Sequence, residues 1–108
     1  MLLSMNEISE RVAPVARKYD LRAVYLFGSY ARNEATEDSD IDLLVDRTNS
    51  KIHSLFDMGG LYEDLRLCLQ KRIDVVTTHT LEQHSTRERT PDFIDNLNAE
   101  RVKIYEQN

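Results

Sequence analysis

The sequence predicts a small α+β domain in which helices flank a short mixed β-sheet. Three apolar runs rich in β-branched and aromatic residues, 24–27, 41–45 and 73–77, have the length and composition of strands. The segments 6–19 and 51–70 space their apolar residues at intervals of three and four, as helices do. A short helix after the first strand completes the pattern. We therefore predict the order helix, strand, helix, strand, helix, strand.

Composition limits the classes of protein to which the chain can belong. Residues 1–108 are predicted to form one domain, with 41% hydrophobic and 31% charged residues, ordinary values for a globular protein. A net charge of −5 argues against a direct nucleic-acid surface, which is normally basic. No apolar run approaches the ~20 residues of a membrane span, and the first residues do not resemble a signal peptide. We therefore expect a cytoplasmic protein without membrane contact, whose one cysteine, Cys68, lies in the core.

The first predicted helix covers one face of the sheet. Its apolar residues at helical spacing are Ile8, Val12, Val15 and Ala16. Asn6 is a candidate N-cap, because its side chain can accept a hydrogen bond from the backbone of the first turn. Pro14 lies inside the pattern and lacks a backbone N–H, so the helix is expected either to kink there or to begin near it.

A glycine-serine pair follows the first strand. Gly28 lacks Cβ, so the backbone N–H groups beside it can approach a phosphate closely. Ser29 adds a hydroxyl donor and is a candidate N-cap for a short helix that begins at Tyr30. Free N–H groups and the helix dipole would favour a phosphate at that helix start. The pair therefore indicates a phosphate site.

Two aspartates open the second strand. Side chains alternate between the two faces of a strand, so Asp40 and Asp42 project together while Ile41, Leu43 and Val45 face the other way. Neighbouring carboxylates repel unless a positive charge lies between them. Mg²⁺ prefers carboxylate oxygens combined with phosphate oxygens, so the strand start indicates a metal site for a nucleoside triphosphate.

Each of these signals is weak alone. Paired acids at a strand start are also typical of a solvated turn or of charges that protect a sheet edge. A glycine-serine pair is also typical of an ordinary turn. The prediction depends on both occurring in this order between two apolar strands.

The remainder of the chain adds a helix and further strands. The helix predicted over 51–70 places on one face the residues Ile52, Leu55, Phe56, Leu61, Leu65, Cys68 and Leu69. Gly59 and Gly60 indicate either close packing or a helix break. Residues 78–90 are predicted to be a loop or weak helix, 91–99 a short helix and 101–105 an edge strand. His53, His79, His84, Arg87 and Arg89 are expected at the surface.

The pattern extends over nearly the whole chain. The segments 28–32 (Gly-Ser-Tyr-Ala-Arg) and 39–45 (Ser-Asp-Ile-Asp-Leu-Leu-Val) together resemble the signature of the DNA polymerase β-like nucleotidyltransferase superfamily. The chain is most similar to its minimal members, small nucleotidyltransferases that are antitoxins beside HEPN-domain toxins. Residues 61–69 and 71–77 look like the helix and third strand that carry the family's third carboxylate, and 102–106 is similar to its C-terminal ending. Asn33 and Gln70 replace the family's usual glycines; Asn33 tolerates a left-handed backbone, and Gln70 indicates a differently closed helix.

The resemblance implies a polymerase β palm-like fold and a Mg²⁺-dependent transfer of AMP from ATP to a hydroxyl. The implied catalytic and metal-binding residues are Asp40, Asp42 and Asp74, with two Mg²⁺ ions roughly 3.5–4 Å apart. Asp74 would help to activate the acceptor; from the strand alone, it either completes the metal site or caps an exposed sheet edge. Gly28 and Ser29 would hold the β- and γ-phosphates, and Arg32 would either contribute charge or support the short helix. The implied partner, in a hetero-oligomer, is a HEPN ribonuclease toxin modified on a tyrosine.

Two alternatives belong to other functional classes. The chain could neutralise its toxin by binding alone, with an idle site. It could instead modify a small molecule such as an aminoglycoside. The presence of three acids at the predicted site argues against an idle site, and the absence of an acceptor-binding domain argues against the small molecule.

Overall fold

The computed structural model describes residues 2–78 and 101–107. The helices and strands, in chain order, are α1 (Met5–Lys18), β1 (Ala23–Phe27), α2 (Gly28–Ala31), β2 (Ile41–Asp46), α3 (Leu55–Leu69), β3 (Ile73–Thr77) and β4 (Val102–Glu106). The predicted α+β class and its element order are confirmed. Of the loop or weak helix predicted at 78–90 and the helix predicted at 91–99, all residues after Thr78 lie outside the described residues, including His79, His84, Arg87 and Arg89.

The strands form one mixed sheet in the order β3-β2-β1-β4. β1 is antiparallel to both β2 and β4, whereas β2 and β3 are parallel. Parallel neighbours require a crossover connection, and α3 provides it. The predicted C-terminal edge strand is confirmed as β4, which extends the sheet beside β1.

One face of the sheet carries the hydrophobic core. Side chains from this face and from the two long helices form one buried cluster that includes Ile8, Val12, Ala16, Val24, Leu26, Ile41, Leu43, Val45, Leu61, Leu65, Leu69 and Ile73. Burying each large aliphatic side chain contributes about 1.5–3 kcal/mol relative to leaving it exposed. Alternate residues of a strand face opposite ways, and Ile41, Leu43 and Ile73 face the core. Asp42 and Asp74 therefore project from the other face of the sheet.

Helix α1 begins earlier than the sequence interpretation suggested. Its N-cap is Ser4, not Asn6: Ser4 Oγ accepts from Glu7 N at 3.1 Å, and Glu7 Oε1 accepts from Ser4 N at 3.0 Å. This capping box satisfies two backbone donors at once, which no bond from Asn6 would do. The suggestion that the helix begins near Pro14 is wrong, because Pro14 lies inside Met5–Lys18 at an exposed position.

Helix α3 is shorter than predicted. It begins at Leu55, capped by Ser54, whose Oγ accepts from Asp57 N at 3.1 Å. The placement of Leu55 and Phe56 on the buried face is wrong, since both are 90% exposed. At about 100° per residue they lie roughly 120–140° around the helix from Leu61, which is buried.

Gly59 and Gly60 do not interrupt α3. A Cβ on Gly60 would lie 3.1 Å from the hydroxyl oxygen of Tyr19, whereas one on Gly59 would meet nothing within 4 Å. Close packing is therefore confirmed for Gly60 alone. Cys68 is half-buried against the core, and this burial raises the pKa of its thiol, which fits the predicted core role. In the ranges 2–78 and 101–107, no helix is long and apolar enough to cross a bilayer.

Candidate active site

The glycine of the signature lies against an aspartate of the next strand. The β1–β2 register pairs Phe27, the last residue of β1, with Asp42. The chain then turns at Gly28, which has φ +72°. A Cβ on Gly28 would overlap Asp42 Oδ2 and lie 3.2 Å from Asp42 Cγ. Glycine is therefore required here both by the backbone conformation and by the approach of a carboxylate.

The short helix α2 differs in detail from the prediction. It begins at Gly28 rather than Tyr30, and its N-cap position is Phe27, which makes no side-chain capping bond. Ser29 is therefore inside the helix and is not its N-cap. Its carbonyl accepts from Glu34 N at 2.8 Å, which ties the following loop to the helix. Asn33, with φ +61°, adopts the left-handed conformation that its side chain was expected to tolerate.

Two of the three predicted acids lie side by side. The parallel register of β2 and β3 pairs Asp42 with Asp74, so both project from the same face. Asp42 is half-buried, whereas Asp74 is exposed. Burial raises the pKa of the Asp42 carboxyl above its ordinary value of 3.8, the charges of Asp74 and Asp40 raise it further, and Arg32 lowers it. Burial and the two neighbouring acids thus both disfavour the charged form of Asp42.

The third acid, Asp40, has a different partner. Its Oδ1 lies 3.1 Å from Nε of Arg72, and the side chains are 49% and 82% exposed, respectively. The backbone joins the same region, since Ile41 N donates to Arg72 O at 3.0 Å. Sequence reasoning overlooked Arg72. The available signal was its position two residues before Asp74, which matches the spacing of Asp40 and Asp42.

The carboxylates of the site suit Mg²⁺ in chemical type, although they do not form a complete set of metal ligands. Within 2–78 and 101–107, no three His, Cys, Asp or Glu side chains are gathered closely enough to hold a metal ion. Asp42 and Asp74 nevertheless offer carboxylate oxygens, the ligands that Mg²⁺ prefers. They project from the same face of two adjacent strands, where a cation would offset the repulsion between their charges. Asp40 could join them once its carboxylate is released from Arg72.

Comparison with known proteins identifies the family. The model of the family described as polymerase beta, nucleotidyltransferase, matches residues 10–108. The chain belongs to this nucleotidyltransferase family. The resemblance inferred from the signature and the predicted polymerase β-like fold are both confirmed.

Relatives of this nucleotidyltransferase carry a more specific name. Protein adenylyltransferase MntA of Thermococcus cleftensis is 42% identical over 85 residues, which cover 75% of this chain and 84% of the relative. A candidate protein adenylyltransferase of Methanocaldococcus jannaschii is 39% identical over 79 residues, 73% of this chain and 83% of the relative.

Solved structures share the fold. A candidate minimal nucleotidyltransferase superposes with a TM-score of 0.65 at 28% identity, covering 93% of this chain and 95% of the other. A toxin–antitoxin structure with AMP-PNP gives a TM-score of 0.64 at 19% identity, covering 92% and 73%. A complex of the tri-AMPylated HEPN toxin of Shewanella oneidensis with its MNT antitoxin gives 0.60 at 17% identity, covering 95% and 73%. At these lower identities the likeness supports the fold of this nucleotidyltransferase.

Proposed function

We propose that this nucleotidyltransferase transfers AMP from ATP to a hydroxyl of a partner protein and thereby acts as the antitoxin of a HEPN-domain toxin in the cytoplasm. The observation that carries the proposal is the paired register of Asp42 and Asp74 beside the close approach of Gly28 to Asp42. The names of the adenylyltransferase relatives support the reaction. The toxin–antitoxin structures that share the fold support the setting.

Acidic residues would bind the magnesium and its nucleotide. Asp42 and Asp74 would hold Mg²⁺ between adjacent strands, with Asp40 as a further ligand for a two-ion site. When bound, the metal would neutralise charge on the triphosphate. Backbone N–H groups at Gly28 and Ser29 would bind the β- and γ-phosphates, and the missing Cβ of Gly28 lets this turn lie directly against the Asp42 carboxylate.

Arg32 would add positive charge next to the acids. Its charge already lowers the pKa of Asp42, so the guanidinium acts on the same group of carboxylates. It also lies 3.6 Å from Glu34 through Nε, at the exposed end of α2. This placement suits a side chain that moves towards a triphosphate when the nucleotide binds.

The reaction forms one phosphorus–oxygen bond and breaks another. The acceptor hydroxyl oxygen would bond to the α-phosphorus of ATP while the bond to the bridging oxygen between the α- and β-phosphates breaks, releasing pyrophosphate. The hydroxyl proton needs a base. Asp74 is the more exposed acid of the central pair, so it would receive this proton from an approaching acceptor. Asp42 is half-buried against Gly28, so its carboxylate would hold a fixed position in the site while the reaction proceeds.

The acceptor would be a tyrosine of a HEPN ribonuclease toxin. AMP attached near the toxin's active site would add bulk and negative charge where RNA phosphates must bind, which is sufficient to inactivate it. The net charge of −5 on this chain supports a protein partner rather than RNA itself. The hetero-oligomer would bring the tyrosine to the Asp42–Asp74 pair.

Intact-mass measurement of the toxin tests the proposal. The purified protein, its cognate toxin, ATP and Mg²⁺ are incubated together, and RNA cleavage is assayed in parallel. We expect the toxin to gain the mass of one or more AMP units and to lose cleavage. Asp42→Asn should abolish both effects. Asp46→Asn is the matched control, because Asp46 lies at the far end of the same strand and accepts hydrogen bonds from Thr48.

Two results would contradict adenylylation of the toxin. Neutralisation without any mass gain, equally effective with the Asp40→Asn/Asp42→Asn protein, would establish the binding-only antitoxin. Transfer of AMP to an aminoglycoside but not to the toxin would establish the small-molecule enzyme.

A further inference from the structure

Four charged side chains lie in two adjacent rows at the start of β2 and β3. Asp40 and Asp42 form one row, and Arg72 and Asp74 form the other. The register pairs Ile41 with Ile73 and Asp42 with Asp74. Because side chains alternate along each strand, Arg72 shares its face with Asp74, as Asp40 does with Asp42. The rows therefore contain three negative charges and one positive charge.

The backbone fixes the position of the positive charge. Ile41 N donates to Arg72 O at 3.0 Å, directly before the first register pair. This bond holds the base of the Arg72 side chain opposite Asp40, and Arg72 Nε lies 3.1 Å from Asp40 Oδ1. Strand pairing thus places the two residues side by side, although both side chains are solvent-exposed.

We propose that Arg72 competes with the divalent cation for Asp40. Its guanidinium lies against Asp40 Oδ1 in the metal-free protein, so a cation that binds this oxygen together with Asp42 and Asp74 displaces it. This inference rests on the proposed function, because it concerns the same metal site. The contact therefore lowers the affinity of the site for the divalent cation and raises the metal concentration at which the site is occupied.

Coulomb repulsion is the physical reason for the competition. A cation bound to Asp40 beside the guanidinium would place two positive charges within a few ångströms of each other. The pair is nevertheless weak enough to open, since Arg72 is 82% exposed and Asp40 is 49% exposed. Removal of Arg72 should therefore tighten metal binding by about two- to fivefold, and the difference should shrink at high salt.

Arg72 also has an opposite effect when no metal is present. The three acids repel one another, because Asp42 is paired with Asp74 in the β2–β3 register and Asp40 lies two residues before Asp42. The guanidinium offsets part of this repulsion. Arg72→Ala should therefore melt at a lower temperature than wild type in chelator, yet gain more from added metal.

The proposal is tested by Mn²⁺ binding, which requires no catalytic turnover. Binding is measured from the electron paramagnetic resonance signal of the free ion. Wild type, Arg72→Ala and Arg22→Ala are compared at low and high salt. Arg22 is the matched control: its Nε lies 3.9 Å from Asp46 Oδ2 at the other end of β2, with 63% and 21% exposure. We expect tighter Mn²⁺ binding and a larger Mn²⁺-induced rise in melting temperature for Arg72→Ala alone.

The possible results separate this inference from the proposed function. Unchanged affinity in Arg72→Ala, with binding still lost in Asp42→Asn, would overturn the competition and leave the metal site intact. Equal tightening in Arg22→Ala would also overturn it, because net charge alone would then be the cause. Failure of the wild-type protein to bind Mn²⁺ at all would overturn both the competition and the metal-dependent function.

Discussion

Replacement of Gly28 by alanine tests the close approach on which the candidate site depends. At φ +72° an alanine would pay about 1–2 kcal/mol for the left-handed conformation. Its Cβ would also overlap Asp42 Oδ2, and the short Asp42 side chain would have to turn away. Displacement of this half-buried carboxylate should add about 1 kcal/mol, the lower end for overpacking. We expect a total loss of about 2–3 kcal/mol in the free energy of unfolding.

A double-mutant cycle separates the two causes. In an Asp42→Ala background the overlapping oxygen and Cγ are gone, while Asp42 Cβ lies at an ordinary contact distance of 3.5 Å. The cost of Gly28→Ala should then fall to about 1–2 kcal/mol, the backbone contribution alone. The coupling free energy between the two positions should be about 1 kcal/mol.

Urea unfolding and AMP transfer provide the measurements. Gly59→Ala is the control, since Gly59 is an exposed position within α3 where a Cβ meets nothing within 4 Å, and the change should stabilise the protein by about 0.4–1 kcal/mol. Gly28→Ala should also lose AMP transfer, because Asp42 is displaced. The reasoning is refuted if Gly28→Ala unfolds at the wild-type urea concentration, or if its cost is the same with and without the Asp42 carboxylate.

Two further predictions concern stability. Burial and neighbouring acids raise the pKa of Asp42, so the folded state binds this proton more tightly than the unfolded chain. The resulting stabilisation of the folded state is fully present at pH values below the ordinary pKa of 3.8. It is lost as the pH rises through the raised pKa of Asp42 in the folded state. Asp42→Asn should therefore be more stable than wild type near pH 7 in chelator, with an advantage that disappears towards pH ~3 in urea titrations. Ser4→Ala should cost about 1 kcal/mol by removing the capping bond to Glu7 N, and an unchanged thermal midpoint would contradict the assigned cap.

Local spacing explains why much of the site could be predicted from the sequence. The alternation of a strand is enough to place Asp40 and Asp42 together, and the apolar residues between them identify the buried face. The need for glycine at position 28 follows from the turn. Asp74 could be assigned to the site only through the family resemblance, because the sequence of neither strand specifies that β2 pairs with β3. The roles of these residues remain predictions that the experiments above test.

The errors have physical causes as well. Residue type alone favours Asn6 as the cap of α1, but Ser4 with Glu7 three residues later is the more specific capping-box signal. The prediction that Leu55 and Phe56 lie in the core depends on one apolar stripe that continues through the whole of 51–70. The helix starts at Leu55, and its periodicity turns both side chains away from the sheet. The ion pair between Asp40 and Arg72 could not be predicted, because its prediction requires the β2–β3 register.

The parallel pairing of β2 and β3 also constrains how the protein reaches its folded state. Asp42 and Asp74 are joined through the whole of α3, so they meet only after a long loop has closed and its entropy cost has been met. Such nonlocal pairing is slow to form compared with helices or hairpins. A chain in which β1 and β2 have paired but β3 has not docked would hold one acid of the pair without the other. Assembly of the Asp42–Asp74 pair should therefore depend on the docking of β3, and the pairing of β1 with β2 should not be sufficient for it.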